Sequence, residues 1–304
     1  MTRKTFEFGT AALVAPQVEW ETARILSEIP AMTDPEVAAL DAYWARELAL
    51  YRQHGKRGEY ETFLPGRAYT YKRLGHILAA VFPGSGQQLL DVGCGSAILS
   101  RYVAERVRRY TALDVSRAAL EFARELALGG HVKLNLVEGS AFEMPLKDAS
   151  VDISVSLGLL EHFNQPDQAS ILSEMSRVSR IGNIVVVPNT TCAIYHAMSA
   201  LEAIQSGPAY SFPLEEHYFD VDFAGLSLRA GLSTEFEGAF HLAPPAEIPG
   251  EFLSDGERAM FVELRDAALA LYKGDAMEAW WSAEDSIDVG TRNVYGWFKF
   301  AVFV

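Results

Sequence analysis

The chain has 304 residues, 49% of them hydrophobic, with 26 Lys and Arg against 40 Asp and Glu, a formal net charge of −14. That length and apolar content allow one large α/β domain with additions, or two small domains, and exclude wholesale disorder. The acidic balance, with no Lys/Arg stripe to offset it, counts against a nucleic-acid partner.

Two cysteines, Cys94 and Cys192, give neither a disulfide framework nor a zinc pattern, so a reduced, cytoplasmic protein is expected. The first twenty residues hold only a short apolar patch, too short for a signal peptide. "NIVVVP" and "WFKFAVFV" are too short to cross a bilayer, so no membrane association is expected.

In chain order, residues 1–85 read as an N-terminal helical lid. "VEWETARILSEI" has apolar residues at helical spacing. In the second helix Asp34 serves as N-cap, Pro35 takes the first helical position and Gly55 ends the run. "GRAYTYKRLGHILAAVF" is a third helix, closed by "PGSG".

From residue 87 the rhythm changes to alternating strand and helix. "QQLLDVG", "YTALDV", "VKLNLVEG", "VDISVSL" and "NIVVVPN" read as strands; "AILSRYVAERV", "RAALEFARELAL" and "QASILSEMSRVSR" read as helices. Several strands are nearly continuous apolar runs, as in a parallel sheet covered on both faces. The fold expected is therefore α/β, a doubly wound and mostly parallel sheet over residues 86–240. "VDFAGLSLRAGL" and "STEFEGAF" add a helix and a strand. Residues 241–290 read as a helical insertion, and 291–304 supply the last strand of seven.

"DVGCGSA" joins the first strand of the core to its helix. Gly93 and Gly95 permit a tight turn and close backbone approach to a ligand at a helix N-terminus. The dinucleotide fingerprint wants glycine or alanine at the position of Ile98, so the pattern counts against a nicotinamide cofactor. Asp91, two residues before Gly93, suits an ammonium group and would repel a pyrophosphate. Asp114 ends the second strand 19 residues after Gly95, the usual place for a carboxylate that accepts hydrogen bonds from ribose hydroxyls. The ligand expected has a ribose and a cationic end but no phosphates.

S-adenosylmethionine meets that description, and "LLDVGCGSA" resembles the glycine motif of class I S-adenosylmethionine-dependent methyltransferases. "LDVS", "VEGSAFEMPLKDASVDISVSLGLLEHF" and "EMSRVSRIGNIVVVPN" continue the resemblance in register over about residues 68–189. It is closest to the broad small-molecule type that includes the quinone methyltransferases. The resemblance implies a Rossmann-like sheet and cofactor contacts from Asp91, Gly93, Cys94, Gly95, Asp114 and Val115. It further implies contacts from Ser140, Ala141 and Phe142 near adenine and from Leu157 at the end of the fourth core strand. Ser140 stands where the family often has an acid, and Ala97 where it has a third glycine.

Glu161 and His162 follow the fourth core strand at its carboxyl end, where ligand crevices of open α/β sheets lie. His162 is the first candidate for a general base and His217 the second. Tyr69, Tyr71, Glu161 and Tyr218 are candidates for contact with the acceptor. No metal ligand set is expected. The function implied is methyl transfer to a small molecule, at oxygen or nitrogen. The alternatives are a non-catalytic S-adenosylmethionine-binding scaffold and a nicotinamide-dependent oxidoreductase. The 241–290 insertion, with Trp280 and Trp281, suits either a substrate wall or a homodimer interface.

Overall fold

The computed structural model describes residues 18–22, 33–54, 65–127, 133–192, 219–241, 255, 256, 259, 284 and 286–304. Its first described element is β1 (Val18–Thr22), followed by α1 (Asp34–His54) and α2 (Pro65–Val81). The central alternation is β2 (Gln87–Val92), α3 (Leu99–Val103), β3 (Val107–Asp114), α4 (Arg117–Ala127), β4 (Lys133–Glu138) and β5 (Val151–Leu157). A 3-10 turn (Leu160–His162), α5 (Gln165–Val178) and β6 (Ser179–Pro188) come next. Then follow α6 (Phe223–Ala230), β7 (Thr234–Phe240), α7 (Val289–Tyr295) and β8 (Phe298–Phe303).

One sheet runs in the order β1-β4-β3-β2-β5-β6-β8-β7. β1 to β6 pair in parallel; β8 is antiparallel to β6 and to β7. The expected seven-stranded, mostly parallel core is present as β2 to β8. β1 is an eighth strand on its edge, and it corrects the helical reading of residues 18–22. Val, Trp and Thr favour a strand, and β4 supplies a free edge to pair with, a tertiary contact that local spacing does not reveal.

The strands separate two cores because successive side chains point to opposite faces. Leu89, Leu134, Leu136, Ile153, Ile184 and Val186 pack with Leu74 and Leu78 of α2, Leu99 of α3 and Leu120 of α4. Leu90, Val92, Val185 and Val187 pack on the other face with Ile171, Leu172 and Met175 of α5 and Leu226 of α6. The spacing 171, 172, 175, 178 along α5 is the apolar stripe of an amphipathic helix.

Helix boundaries follow local capping chemistry. Asn164 caps α5 by accepting from Asp167 N–H at 3.2 Å. α1 is capped one residue earlier than the sequence suggested: Thr33 N–H donates to Glu36 Oε2 at 2.5 Å, half of a capping box. The helix read from "AILSRYVAERV" is shorter than expected, since β3 already begins at Val107.

Residues 241–297 connect β7 to β8, the two adjacent strands at the sheet edge. Both ends of that connection meet at His241. Its carbonyl accepts from Trp297 N–H at 3.1 Å, and its N–H donates to Glu284 Oε1 at 2.9 Å. The His241 ring stacks on Trp297 at 5.2 Å and bonds Thr70 Oγ1 at 2.6 Å through Nδ1. The neck is tied to α2 as well, because Arg73 lies 3.6 Å from Glu284. Trp280 and Trp281 lie outside the described residues.

Candidate functional site: the carboxyl ends of β2, β3 and β5

The turn after β2 folds over the end of β3. Gly93 and Cys94 both donate their N–H to Leu113 O, at 2.9 and 3.0 Å. Gly95 N–H donates to Asp114 Oδ2 at 2.9 Å. Gly93 and Gly95 have φ of +66° and +51°, the left-handed region that a side chain disfavours. A Cβ on Gly95 would also come within 2.6 Å of the Trp44 ring. Ala97, in place of a third glycine, adopts φ +48° and donates to Cys94 O at 2.8 Å.

Asp114 is buried at the end of β3 and holds two loops at once. Its second oxygen accepts from Ser116 N–H at 2.9 Å. Burial raises its carboxyl to about 6, against the lowering effect of these N–H groups; the Asp41 charge pushes it up further. Asp91 is buried at the end of β2 and accepts a short hydrogen bond from Tyr110 Oη. Burial pushes Asp91 up to about 7; the Tyr110 hydroxyl opposes the shift and the Asp114 charge adds to it. Tyr110 was not singled out in the sequence, although a tyrosine in an otherwise apolar buried strand needs a polar partner.

Glu161 and His162 occupy the 3-10 turn just beyond β5, and both are buried. His162 Nε2 lies 3.9 Å from Glu161 Oε1, beyond hydrogen-bond reach. Glu161 Oε2 is buried with no hydrogen-bond partner, and burial raises this carboxyl to about 8. At neutral pH it is therefore mostly protonated, able to donate a hydrogen bond. Phe219 N–H donates to Glu161 O at 2.7 Å, so the chain rejoins the described fold against this turn. His217 and Tyr218 lie outside the described residues.

The remaining expected residues fall around the same strand ends. Val115 is half-buried in the loop after β3, and Leu157 is half-buried at the end of β5. Ser140 Oγ accepts from Phe142 N–H at 3.1 Å; Ala141 is buried, and Phe142 meets Phe163 edge-on at 5.1 Å. Cys94 is buried with its thiol raised well above the ordinary value by desolvation, so it is no nucleophile. Tyr71 packs, half-buried, between the α2–β-sheet core and the α1–α4 contact. Tyr69 lies on α2, its side chain outside the described set.

Ile98, the residue that breaks the dinucleotide fingerprint, is wholly buried with Leu48 and Tyr51 of α1 and Phe122 and Leu126 of α4. Its bulk anchors the N-terminal helix to the core. A cavity of about 870 Å³ lies elsewhere, between α2, β7, β8 and α7, lined by Ile77, Val81, Phe236, Phe300 and Arg292 among others. It touches none of Asp91, Asp114 and Glu161. Among the described residues no group of three or more His, Cys, Asp or Glu is placed to hold a metal ion.

Together these features define a glycine-turn site with three buried carboxylates, at the topological position where doubly wound sheets bind nucleotides. Residues 90–187 match the family described as a methyltransferase domain. A malonyl-acyl-carrier-protein O-methyltransferase of Serratia marcescens is 37% identical over 101 residues, 33% of this chain and 37% of the relative. A ubiquinone biosynthesis O-methyltransferase of Bordetella parapertussis is 33% identical over 127 residues, 40% of this chain and 51% of the relative. The chain thus spans less than two thirds of each relative. Magnesium protoporphyrin IX methyltransferase of Synechocystis PCC 6803, solved with bound S-adenosylhomocysteine, is 16% identical, with a TM-score of 0.49, and covers 69% of this chain and 94% of its own. Residues 90–187 thus form a methyltransferase domain, similar in sequence to a probable S-adenosylmethionine-dependent methyltransferase of Mycolicibacterium smegmatis. Among the described residues, no helix is long and apolar enough to cross a membrane.

Proposed function

We propose that the protein transfers a methyl group from S-adenosylmethionine to an oxygen atom of a small-molecule acceptor. One observation carries the reading. Asp91 and Asp114 are buried at the ends of β2 and β3, and neither is ion-paired to a Lys or Arg among the described residues. Such a site repels phosphates and stabilises a cation. It suits a ligand with an ammonium and a sulfonium. Oxygen as the acceptor atom is supported by the two similar proteins from Serratia marcescens and Bordetella parapertussis, both O-methyltransferases.

The bound cofactor supplies an electrophilic methyl carbon. The chain's own work is to orient, dehydrate and move a proton. Asp114 accepts from ribose hydroxyls with the lone pairs that Gly95 and Ser116 leave open. Asp91 faces the cationic methionine end, and Ser140, Ala141 and Phe142 border the adenine. Glu161 would orient the acceptor by donating a hydrogen bond to a polar group beside the reacting one, and His162 would take the proton of the acceptor hydroxyl as its oxygen takes the methyl group and the methyl–sulfur bond breaks. Residues outside the shared core select the acceptor. A count of two cysteines, 98 positions apart, gives no disulfide framework and supports a reducing, cytoplasmic setting.

Calorimetry on the purified protein tests the cofactor side. S-adenosylhomocysteine should bind and NAD should not; NAD binding without a response to S-adenosylhomocysteine would overturn the reading. A labelled methyl group from the cofactor should appear on acids or phenols offered as acceptors. Tight cofactor binding with no transfer to any acceptor would favour a non-catalytic scaffold.

A further inference from the structure

α1 lies across α4, close to the glycine turn. Tyr51 and Trp44 meet Phe122 with ring centroids 5.3 and 6.4 Å apart, and Arg52 Nε donates to Glu125 Oε1 at 2.9 Å. Packing alone would account for those contacts. Two others reach further. Asp41 Oδ1 accepts from Ser116 Oγ at 2.6 Å and from Ala118 N–H at 3.0 Å, so a side chain of α1 caps the N-terminus of α4. Ser116 Oγ in turn accepts from Ala119 N–H at 3.1 Å. Three residues along α1, Trp44 sits against Gly95 so closely that any side chain there would strike its ring.

These contacts form a circuit. Asp41 holds Ser116, Ser116 N–H holds Asp114, Asp114 holds Gly95 N–H, and Trp44 covers Gly95. Both ends of the Asp114–Gly95 clamp are therefore governed by one helix. We propose that α1 belongs to the cofactor site, with Trp44 as its outer wall beside Gly95 and Asp41 as the positioning residue that sets the ribose-side loop. The proposal rests on S-adenosylmethionine being the ligand of this turn. Cofactor binding and the docking of α1 are then linked, so each stabilises the other.

The test uses the full chain and S-adenosylhomocysteine, with calorimetry for affinity and tryptophan emission for the wall. Asp41→Ala removes both acceptor bonds and should raise the dissociation constant about tenfold, the scale of one or two hydrogen bonds. Asp41→Asn keeps an oxygen acceptor and should restore most of that affinity, a rescue that bulk packing would not show. Trp44→Ala should weaken binding similarly, and Trp44→Phe should abolish most of the emission change seen on titrating wild type. Wild-type affinity in both alanine variants would overturn the proposal, as would an emission change that survives Trp44→Phe. Should Asp41→Ala fail to fold, the two Trp44 variants decide alone. Absence of binding in wild type would sink the cofactor reading itself, a different result from equal binding across the variants.

Discussion

Asp114→Ala is expected to weaken S-adenosylhomocysteine binding by roughly 1.5–3 kcal/mol, the range for hydrogen bonds to a charged group. The structure gives the residue a double task. Its carboxylate gathers Gly95 N–H and Ser116 N–H, and so fixes the glycine turn against the loop after β3. Alanine leaves both N–H groups without that acceptor and removes the candidate partner of the ribose. Asp114→Asn should fall between alanine and wild type, because one amide oxygen can replace only one of the two accepting oxygens. Calorimetry at pH 8 keeps the wild-type carboxyl, raised to about 6, ionised. An unchanged dissociation constant in a folded Asp114→Ala protein removes the residue from the site.

Asp91→Asn should stabilise the free protein and impair the loaded one. The folded carboxyl is raised to about 7 from an ordinary value of 3.8. Between those limits the native state keeps a proton that the unfolded chain has released. Stability therefore falls as pH rises through that window and is lowest above it. Asp114 and Glu161, raised to about 6 and about 8, act with the same sign. The melting temperature of the free protein should decline from about pH 4 to about pH 8. Asparagine carries no charge and can still accept from Tyr110, so Asp91→Asn should gain roughly 1–3 kcal/mol at pH 8 and almost nothing at pH 4. The same change removes the countercharge for the cofactor's cationic end, and affinity should drop about tenfold. Parallel melting curves for wild type and variant across that pH range would show that Asp91 carries no such burden.

The sheet was legible because burial on both faces leaves a plain mark. "QQLLDV" and "VDISVSL" read as strands to within a residue, and the short turns between them place the helices. That Asp91, Gly93, Gly95 and Asp114 meet at one turn was legible for a different reason: a tight turn and a fixed strand length dictate their spacing. Tyr110 and Asp41 were not, since each matters only through a partner far along the chain, 19 residues away at Asp91 and 75 at Ser116. β1 was missed on the same ground, as its reason to be extended is the edge of β4. Ile98 was read only as a mismatch to one fingerprint. The structure gives it a positive role, filling the space under α1.

The knot at His241 has a consequence for how this protein could change. The stretch between β7 and β8 leaves and rejoins the sheet at one point, where Trp297 bonds the His241 carbonyl and Glu284 takes its N–H. A loop whose ends are pinned together adds little closure entropy as it lengthens, only about 0.6 kcal/mol per doubling. Its contents can be exchanged as a cassette while β8 keeps its register against β6. On the proposal that residues outside the shared core select the acceptor, a foreign stretch grafted between His241 and Glu284 would change acceptor preference and leave the glycine turn as it is.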